Sequence, residues 1–381
     1  MDNPRSQCWL YKNMIFTSNP KLQFLTYSSQ IKKEILATLN SDRYILGNNV
    51  ENFEKEFSSY IGVKYAIGVA NGTDAIELVL RALEIKQGDE VITVSHTALA
   101  SVAAIQCAGA TPIMADISKN TFTINCEILE KLITPKTKAI LAVHLYGTAC
   151  DIKSLKKICS KYKIYLIEDV SQAHGAIYNN KKLGSHGIAG CFSCYPTKNL
   201  GAIGDAGVIT TNNKKLAIKL SAMRQYGWVK SNISNYFGRN SRLDEIQAAI
   251  LRVKLKYLDK NNNKRKKIAD FYNKNLTDKV IKPTHIEKSN HVYHLYVIKT
   301  NYATKLEKYL RDNKIFCGVH YPLPIHCQPS YIGHLKIKHK LVNTENLIGN
   351  ILSIPIYPEL KTTEYKFICS KINQFFKNNV S

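Results

Sequence analysis

Short apolar runs separated by amphipathic stretches recur along the first two thirds of the chain. Residues 91–94, 112–115, 139–145, 164–167, 190–193 and 208–211 each read as a buried strand. Between several of them, apolar positions recur at helical spacing over 74–83, 99–107, 126–132 and 152–162. Strands alternating with helices predict an α/β domain, a mostly parallel sheet covered on both faces. A further helix is expected over 216–224 and a longer one over 243–258. The polar stretch 259–267 then marks a change of domain, and the remainder, with strands near 292–298 and 316–320, reads as a smaller α+β domain. The expected organisation is a flexible extension over 1–20, a large domain over 21–258 and a small domain over 259–381.

Composition agrees with a folded enzyme-sized protein without naming a chemistry. The chain has 381 residues, 45% of them hydrophobic, enough for two cores. Its first sixteen residues lack the apolar centre of a secretory signal, and no run approaches the length of a membrane span. Met14 offers a second possible start. The ten cysteines show no paired spacing, which suggests a reducing compartment and a cytoplasmic protein. Cys191 and Cys194 stand at C-x-x-C spacing, but no second pair completes a zinc set. A redox motif of that spacing belongs at a helix start, whereas this one lies in a strand-like run, so both read as packing residues and no metal is expected. The formal charge of +24 raises nucleic acid or a membrane surface as a partner. The lysines are dispersed over 153–163, 254–267 and 336–340, with no nucleic-acid-binding motif beside them. They read as solvated surface that can help attract a nucleotide diphosphate, and neither nucleic acid nor membrane is expected as partner.

Two segments carry candidate chemistry. Lys198 lies in Cys191-Phe-Ser-Cys-Tyr-Pro-Thr-Lys-Asn-Leu-Gly201, where a strand-like run gives way to a glycine-bearing loop. An amine at such a mouth can form a Schiff base with an aldehyde cofactor, as pyridoxal phosphate is held; taken alone it is a surface charge. About thirty residues earlier, Tyr165-Leu-Ile-Glu-Asp-Val-Ser-Gln-Ala-His-Gly175 puts Glu168 and Asp169 at the carboxyl end of a buried strand. Open α/β sheets bind their ligands there. A pyridoxal enzyme needs a carboxylate against its pyridinium nitrogen, and Asp169 fits that role with Glu168 as its structural neighbour. Read alone, Asp169 would cap the following helix.

The chain resembles the sugar aminotransferases of the DegT/DnrJ/EryC1/StrS family, a branch of the fold-type I (aspartate aminotransferase-like) pyridoxal-phosphate enzymes. The resemblance rests on Arg43-Tyr-Ile-Leu-Gly47, Asn71-Gly-Thr-Asp-Ala75, Ser95-His-Thr97, His144-Leu-Tyr-Gly147 and the segment 168–175. It continues through residues 193–207, Asn240-Ser-Arg-Leu-Asp-Glu-Ile-Gln247 and His320-Tyr-Pro-Leu-Pro-Ile-His326. These motifs keep the family order and span nearly everything after about residue 25. The resemblance implies that Lys198 carries the cofactor and shuttles the proton, that Asp169 pairs with the ring nitrogen, and that Gln172 reaches the ring hydroxyl. It implies that Ser193, Gly72 and Thr73 hold the phosphate. Gly72 suits that place because backbone can approach closely where a helix begins, although a plain turn capped by Thr73 has the same geometry. His96 aligns with the residue that stacks on the ring. Asn240 aligns with one that reaches the phosphate of a neighbouring subunit, which implies a homodimer with shared active sites. His320, Tyr321 and His326 fall where groups contacting a sugar are wanted, or form a self-satisfied loop.

The activity implied is transfer of an amino group from L-glutamate to the C-3 or C-4 keto group of a nucleotide-linked keto-6-deoxyhexose, commonly dTDP-linked, in amino-sugar biosynthesis. His at position 96 resembles the branch acting at C-3. The alternatives are a dehydratase of the same fold, against which Lys198 speaks, and a non-catalytic or basic nucleic-acid-binding protein.

Overall fold

A computed structural model describes residues 14–379. Its centre is a seven-stranded sheet built from β1 (Tyr65–Val69), β2 (Glu90–Val94), β3 (Thr111–Ala115), β4 (Thr137–Val143), β5 (Tyr165–Asp169), β6 (Ala189–Ser193) and β7 (Gly207–Thr211). The order is β1-β7-β6-β5-β4-β2-β3, and only β7 runs against the rest. Every residue of β2 and β7 is buried, so these strands read as continuous apolar runs rather than alternations. Strand β1 is absent from the sequence reading: Tyr65-Ala-Ile-Gly-Val69 is short, and Gly68 interrupts its pattern. Leu243 packs where a side chain at Gly68 would stand, 2.8 Å from a built Cβ.

Helices cover both faces. Those that bear on the site are α1 (Pro20–Thr26), α2 (Ser28–Leu39), α3 (Asn48–Ile61), α4 (Gly72–Ala82), α5 (Leu99–Cys107), α6 (Ile152–Tyr162), α7 (Lys214–Met223), α8 (Glu245–Leu255) and α9 (Leu258–Asn275). Two core clusters lie on the two faces of the sheet, so that Cys191 and Cys194 belong to opposite ones. Both cysteines are fully buried and free, as packing residues should be. A third cluster unites α9, α10 (Ala303–Asp312), α11 (Thr362–Asn379) and an antiparallel pair, β8 (Tyr296–Lys299) with β9 (Ile351–Ile354).

Three expectations change. The helix expected over 243–258 stops at Leu255, and the polar stretch 259–267, expected to mark a change of domain, is helical and forms the first half of α9. Its buried stripe runs through Leu258, Asn261, Asn262, Arg265, Ile268, Ala269 and Tyr272, helical in spacing but half polar. Those polar members bond inside: Asn261 accepts from Tyr27 Oη, Asn262 donates to the His174 carbonyl, and Arg265 donates through Nη1 to the Ile356 carbonyl, its buried Nε left without a partner among the described residues. The strand expected at 316–320 is reduced to an isolated bridge between Gly318 and Ser353. Of the extension expected over 1–20, residues 1–13 lie outside the described residues. The rest is docked: Ile15 N–H donates to Lys314 O (3.0 Å), Phe316 N–H donates to Ile15 O (2.8 Å), and Pro20 opens α1.

Candidate active site

The carboxyl ends of β4, β5 and β6 and the start of α4 open onto one cavity of about 490 Å³. Its walls bring together Gly72, Thr73, Asp169, Gln172, Ser193 and Lys198, six residues separated by as much as 126 positions in sequence. Asp169 ends β5, with Oδ2 accepting from Ser101 Oγ (2.8 Å) and Oδ1 from the Ser171 N–H (3.1 Å). Its neighbour Glu168 points the other way and is fully buried. It accepts three backbone N–H groups, from Gly184 (2.9 Å), His186 (2.8 Å) and Gly187 (2.8 Å). The Cys150 N–H donates to His144 Nδ1 (3.0 Å), so the His144 proton sits on Nε2 and is donated to Glu168 Oε2 (3.2 Å). Burial works to raise the Glu168 carboxyl, but His144, His186 and the Gly184 N–H outweigh it and hold it below the usual value. Glu168 thus fastens the 184–187 turn to the end of the strand that presents Asp169.

Lys198 follows β6 on a tight loop. Cys194 N–H donates to Ala206 O, Ala202 N–H to Cys194 O, and Lys198 N–H to Tyr195 O. Gly201 permits this return, since a Cβ there would meet Pro196 O at 2.5 Å. The buried Lys254 ammonium donates to the Gly201 carbonyl and braces the loop from behind. Desolvation lowers the Lys198 amine from about 10.5 to about 8, against the pull of Asp169.

The start of α4 faces Ser193. A Cβ on Gly72 would stand 2.6 Å from Ser193 Cβ and 3.0 Å from its Cα, so only glycine lets the helix start approach this closely. Asn71 caps the helix by accepting the Asp74 N–H (2.8 Å), leaving the Gly72 and Thr73 N–H groups without an intrahelical acceptor. Such a cradle of amides beside a serine hydroxyl suits a phosphate. A carboxylate fixed on the floor, a half-buried amine of lowered basicity and this cradle together fit pyridoxal phosphate.

His96 is buried, and burial pushes its imidazole down to about 4. The Tyr146 hydroxyl donates to the His320 carbonyl, so the contact between His96 Nε2 and Tyr146 Oη (2.6 Å) places the imidazole proton on Nε2. Gln172 Oε1 accepts the Tyr146 N–H (2.8 Å), so its amide nitrogen faces and donates to Tyr321 Oη (2.9 Å). Gln172 therefore ties the 320–321 segment to the β4 end. His320 Nδ1 meets Ser353 Oγ at 2.9 Å. His326 is spent on its own loop: Nδ1 lies 2.7 Å from Ser95 Oγ and Nε2 lies 3.4 Å from Glu345. Ser95 is itself fully buried and accepts the His326 N–H, so this trio anchors the loop rather than presenting a nucleophile. Asn240 is exposed, pairs through its backbone with Gln225 and does not line this chain's cavity.

The sequence reading passed over Ser101, Tyr146, His174 and His294. His174 and His294 flank Lys198 in charge terms, and burial, reinforced by that amine, keeps both imidazoles neutral, His174 at about 3. The signal for Ser101 was a hydroxyl within the largely apolar Leu99–Cys107 helix; His294 stood in no motif.

Residues 26–373 match the DegT/DnrJ/EryC1/StrS aminotransferase family. The chain is 43% identical over 352 residues to the dTDP-3-amino-3,6-dideoxy-alpha-D-galactopyranose transaminase of Aneurinibacillus thermoaerophilus, covering 92% of this chain and 96% of that one. It is 38% identical to the dTDP-3-amino-3,4,6-trideoxy-alpha-D-glucose transaminase of Streptomyces venezuelae, over 86% and 87%. The crystal structure of S. venezuelae DesV superposes with a TM-score of 0.93 at 35% identity, covering 95% of this chain and 98% of that one.

Proposed function

This chain belongs to the DegT/DnrJ/EryC1/StrS aminotransferase family, and on that premise we propose that it moves the amino group of L-glutamate to the C-3 keto group of a dTDP-linked keto-6-deoxyhexose. It is a pyridoxal-phosphate-dependent nucleotide-sugar aminotransferase of the fold-type I class. The observation that carries the chemistry is Lys198, its amine lowered to about 8, in the same cavity as Asp169 and the α4 cradle. The choice of C-3 draws support from the two transaminases whose names specify 3-amino sugars and from His, rather than Phe, at position 96.

When bound, the cofactor supplies an electron-withdrawing ring that accepts the electrons of the substrate C–H bond being broken. Lys198 would hold the cofactor covalently at rest, and its amine, when free, would take and return the proton in each half-reaction. Asp169 stabilises positive charge at the ring nitrogen, which keeps the ring electron-poor. Ser193 and the Gly72 and Thr73 amides would hold the phosphate, Gln172 would reach the ring hydroxyl, and His96 would stand against the ring. His320 and Tyr321 would contact the sugar, while His326 holds their loop in place. Asn240, exposed here, would reach the phosphate site of a second copy in a homodimer. We read the reaction as cytoplasmic, a reading supported by the free thiols of the nine described cysteines.

The test is the absorption spectrum of the purified protein with pyridoxal phosphate, before and after L-glutamate. Loss of the yellow band on glutamate, and its return with 3-keto but not 4-keto nucleotide sugars, is expected. Return only with 4-keto sugars would overturn the C-3 assignment, and a protein unable to take up cofactor would overturn the enzyme.

A further inference from the structure

We propose that Ser101 is a positioning residue for Asp169, and through Asp169 for the protonated ring nitrogen of the cofactor, with Thr97 as the outer member of the same relay. The inference rests on the Asp169 role given above. Ser101 lies in the first turn of α5 and is fully buried, as is nearly all of Asp169. At 2.8 Å from Oδ2, an ionised carboxylate can only accept, so the single hydroxyl proton of Ser101 is committed to Asp169. Thr97 Oγ1 lies 3.2 Å from Ser101 Oγ; with the serine proton spent, Thr97 must be the donor. Thr97 lines the cavity, and the relay therefore runs from the cavity wall through a buried hydroxyl to the far side of the carboxylate. A helix serine often bonds back to a carbonyl of the preceding turn. This one instead spans 68 residues of sequence to reach the end of β5.

The arrangement does two things. With Ser171 N–H on Oδ1 and Ser101 on Oδ2, each oxygen has one donor from the protein, and the carboxylate plane is fixed while further lone pairs remain for the cofactor. A carboxylate held in that plane keeps its free lone pairs turned to the ring nitrogen, and the ring stays the electron sink that transamination needs. Removing Ser101 frees the Asp169 rotamer and loosens that hold on the ring proton.

The test uses the holoenzyme reconstituted with ring-15N pyridoxal phosphate. For Ser101→Ala, the ring-nitrogen resonance should move away from the protonated position, and cofactor affinity should fall about tenfold, the cost of one hydrogen bond to a charged group. Turnover should drop through kcat with KM little changed, and Ser101→Thr should restore all three. Thr97→Val should move the resonance in the same direction by less, and it carries the test if Ser101→Ala does not fold. In an Asp169→Asn background, Ser101→Ala should produce no further change in the resonance. A parent-like resonance and affinity in Ser101→Ala, or full additivity with Asp169→Asn, would overturn the assignment while leaving the function intact. A parent protein that takes up no cofactor would refute both.

Discussion

An ordinary lysine at pH 7.5 is neutral in about one molecule in a thousand, whereas one titrating near 8 is neutral in about a quarter. Lys198 is lowered from about 10.5 to about 8 by desolvation, so its capacity to attack an aldehyde at pH 7.5 should exceed that of a surface lysine by about 200-fold. The perturbation is pH itself. Apoprotein mixed with excess pyridoxal phosphate between pH 6 and 10 should attach it at a rate that rises with pH and levels off above about 8. Lys198→Ala should show no such fast phase. The same shift leaves a mark on stability. Unfolded, the amine titrates at its usual value near 10.4, so between about 8 and 10.4 the unfolded chain holds more protons than the folded one. Apoprotein stability should therefore rise with pH across that window, because a penalty on the buried cation is being removed. Lys254, also lowered to about 8 by burial, adds to the same slope, and only the attachment rate isolates Lys198. An attachment rate still climbing without a break at pH 10, or a fast phase surviving in Lys198→Ala, would refute the reasoning.

Asp169→Asn should fold and bind cofactor yet slow the proton transfer at least tenfold, read as the single-turnover rate with glutamate; a parent-like rate would mean another group supports the ring nitrogen. Gly72→Ala drives a Cβ to 2.6 Å from Ser193, an overpacking worth about 1–3 kcal/mol that must open the phosphate cradle. Cofactor affinity should fall by more than thermal stability does, and unchanged binding by equilibrium dialysis would remove the cradle from that role. Glu168→Gln puts an amide where three N–H donors and His144 converge, and should cost about 3–5 kcal/mol in chemical denaturation. The folded carboxyl of Glu168 lies below its unfolded value near 4.3, so its contribution holds above that pH and fades as pH falls through the folded value. The variant should lose that part of the acid dependence, and an unchanged acid profile would show that Glu168 does not supply it.

Six of the seven sheet strands were readable because they are buried on both faces and appear as apolar runs at roughly the right place, whereas β1 was lost to its interrupting Gly68. Helices at Leu99–Cys107 and Ile152–Tyr162 were readable to the residue because amphipathic spacing or small apolar content leaves little choice. Helix α9 was not, because its inward stripe uses Asn261, Asn262 and Arg265, which any hydropathy reading assigns to solvent. The same limit governs the site. Lys198, Asp169, Ser193 and Gly72 announced themselves through motifs, and the fold brings them to one cavity. What holds them there was silent: Ser101 is one hydroxyl among small residues, and its partner is 68 positions away. His326 stood in a motif and suggested a sugar contact, but the pairing with Ser95 and Glu345 that occupies its ring spans distances no local pattern records.

The charge of the site runs opposite to that of the chain. Despite a formal +24, the ionisable groups lining the cavity are three carboxylates, Asp74, Asp169 and Asp205, with Tyr195 and a single amine, Lys198. Arg239 offsets Asp74, at 3.4 Å, from outside the cavity. The imidazoles around Lys198, namely His174, His294 and His320, are kept neutral chiefly by burial. Within one chain, then, the phosphate cradle at α4 has only uncharged donors to offer, amides and a serine hydroxyl, and its selectivity must come from direction rather than from net charge. That division suits a site whose lysine must spend part of each cycle as a free base. A wall of lysines or arginines would depress that amine further and weaken its basicity, whereas amide dipoles hold an anion without placing a second full charge beside it.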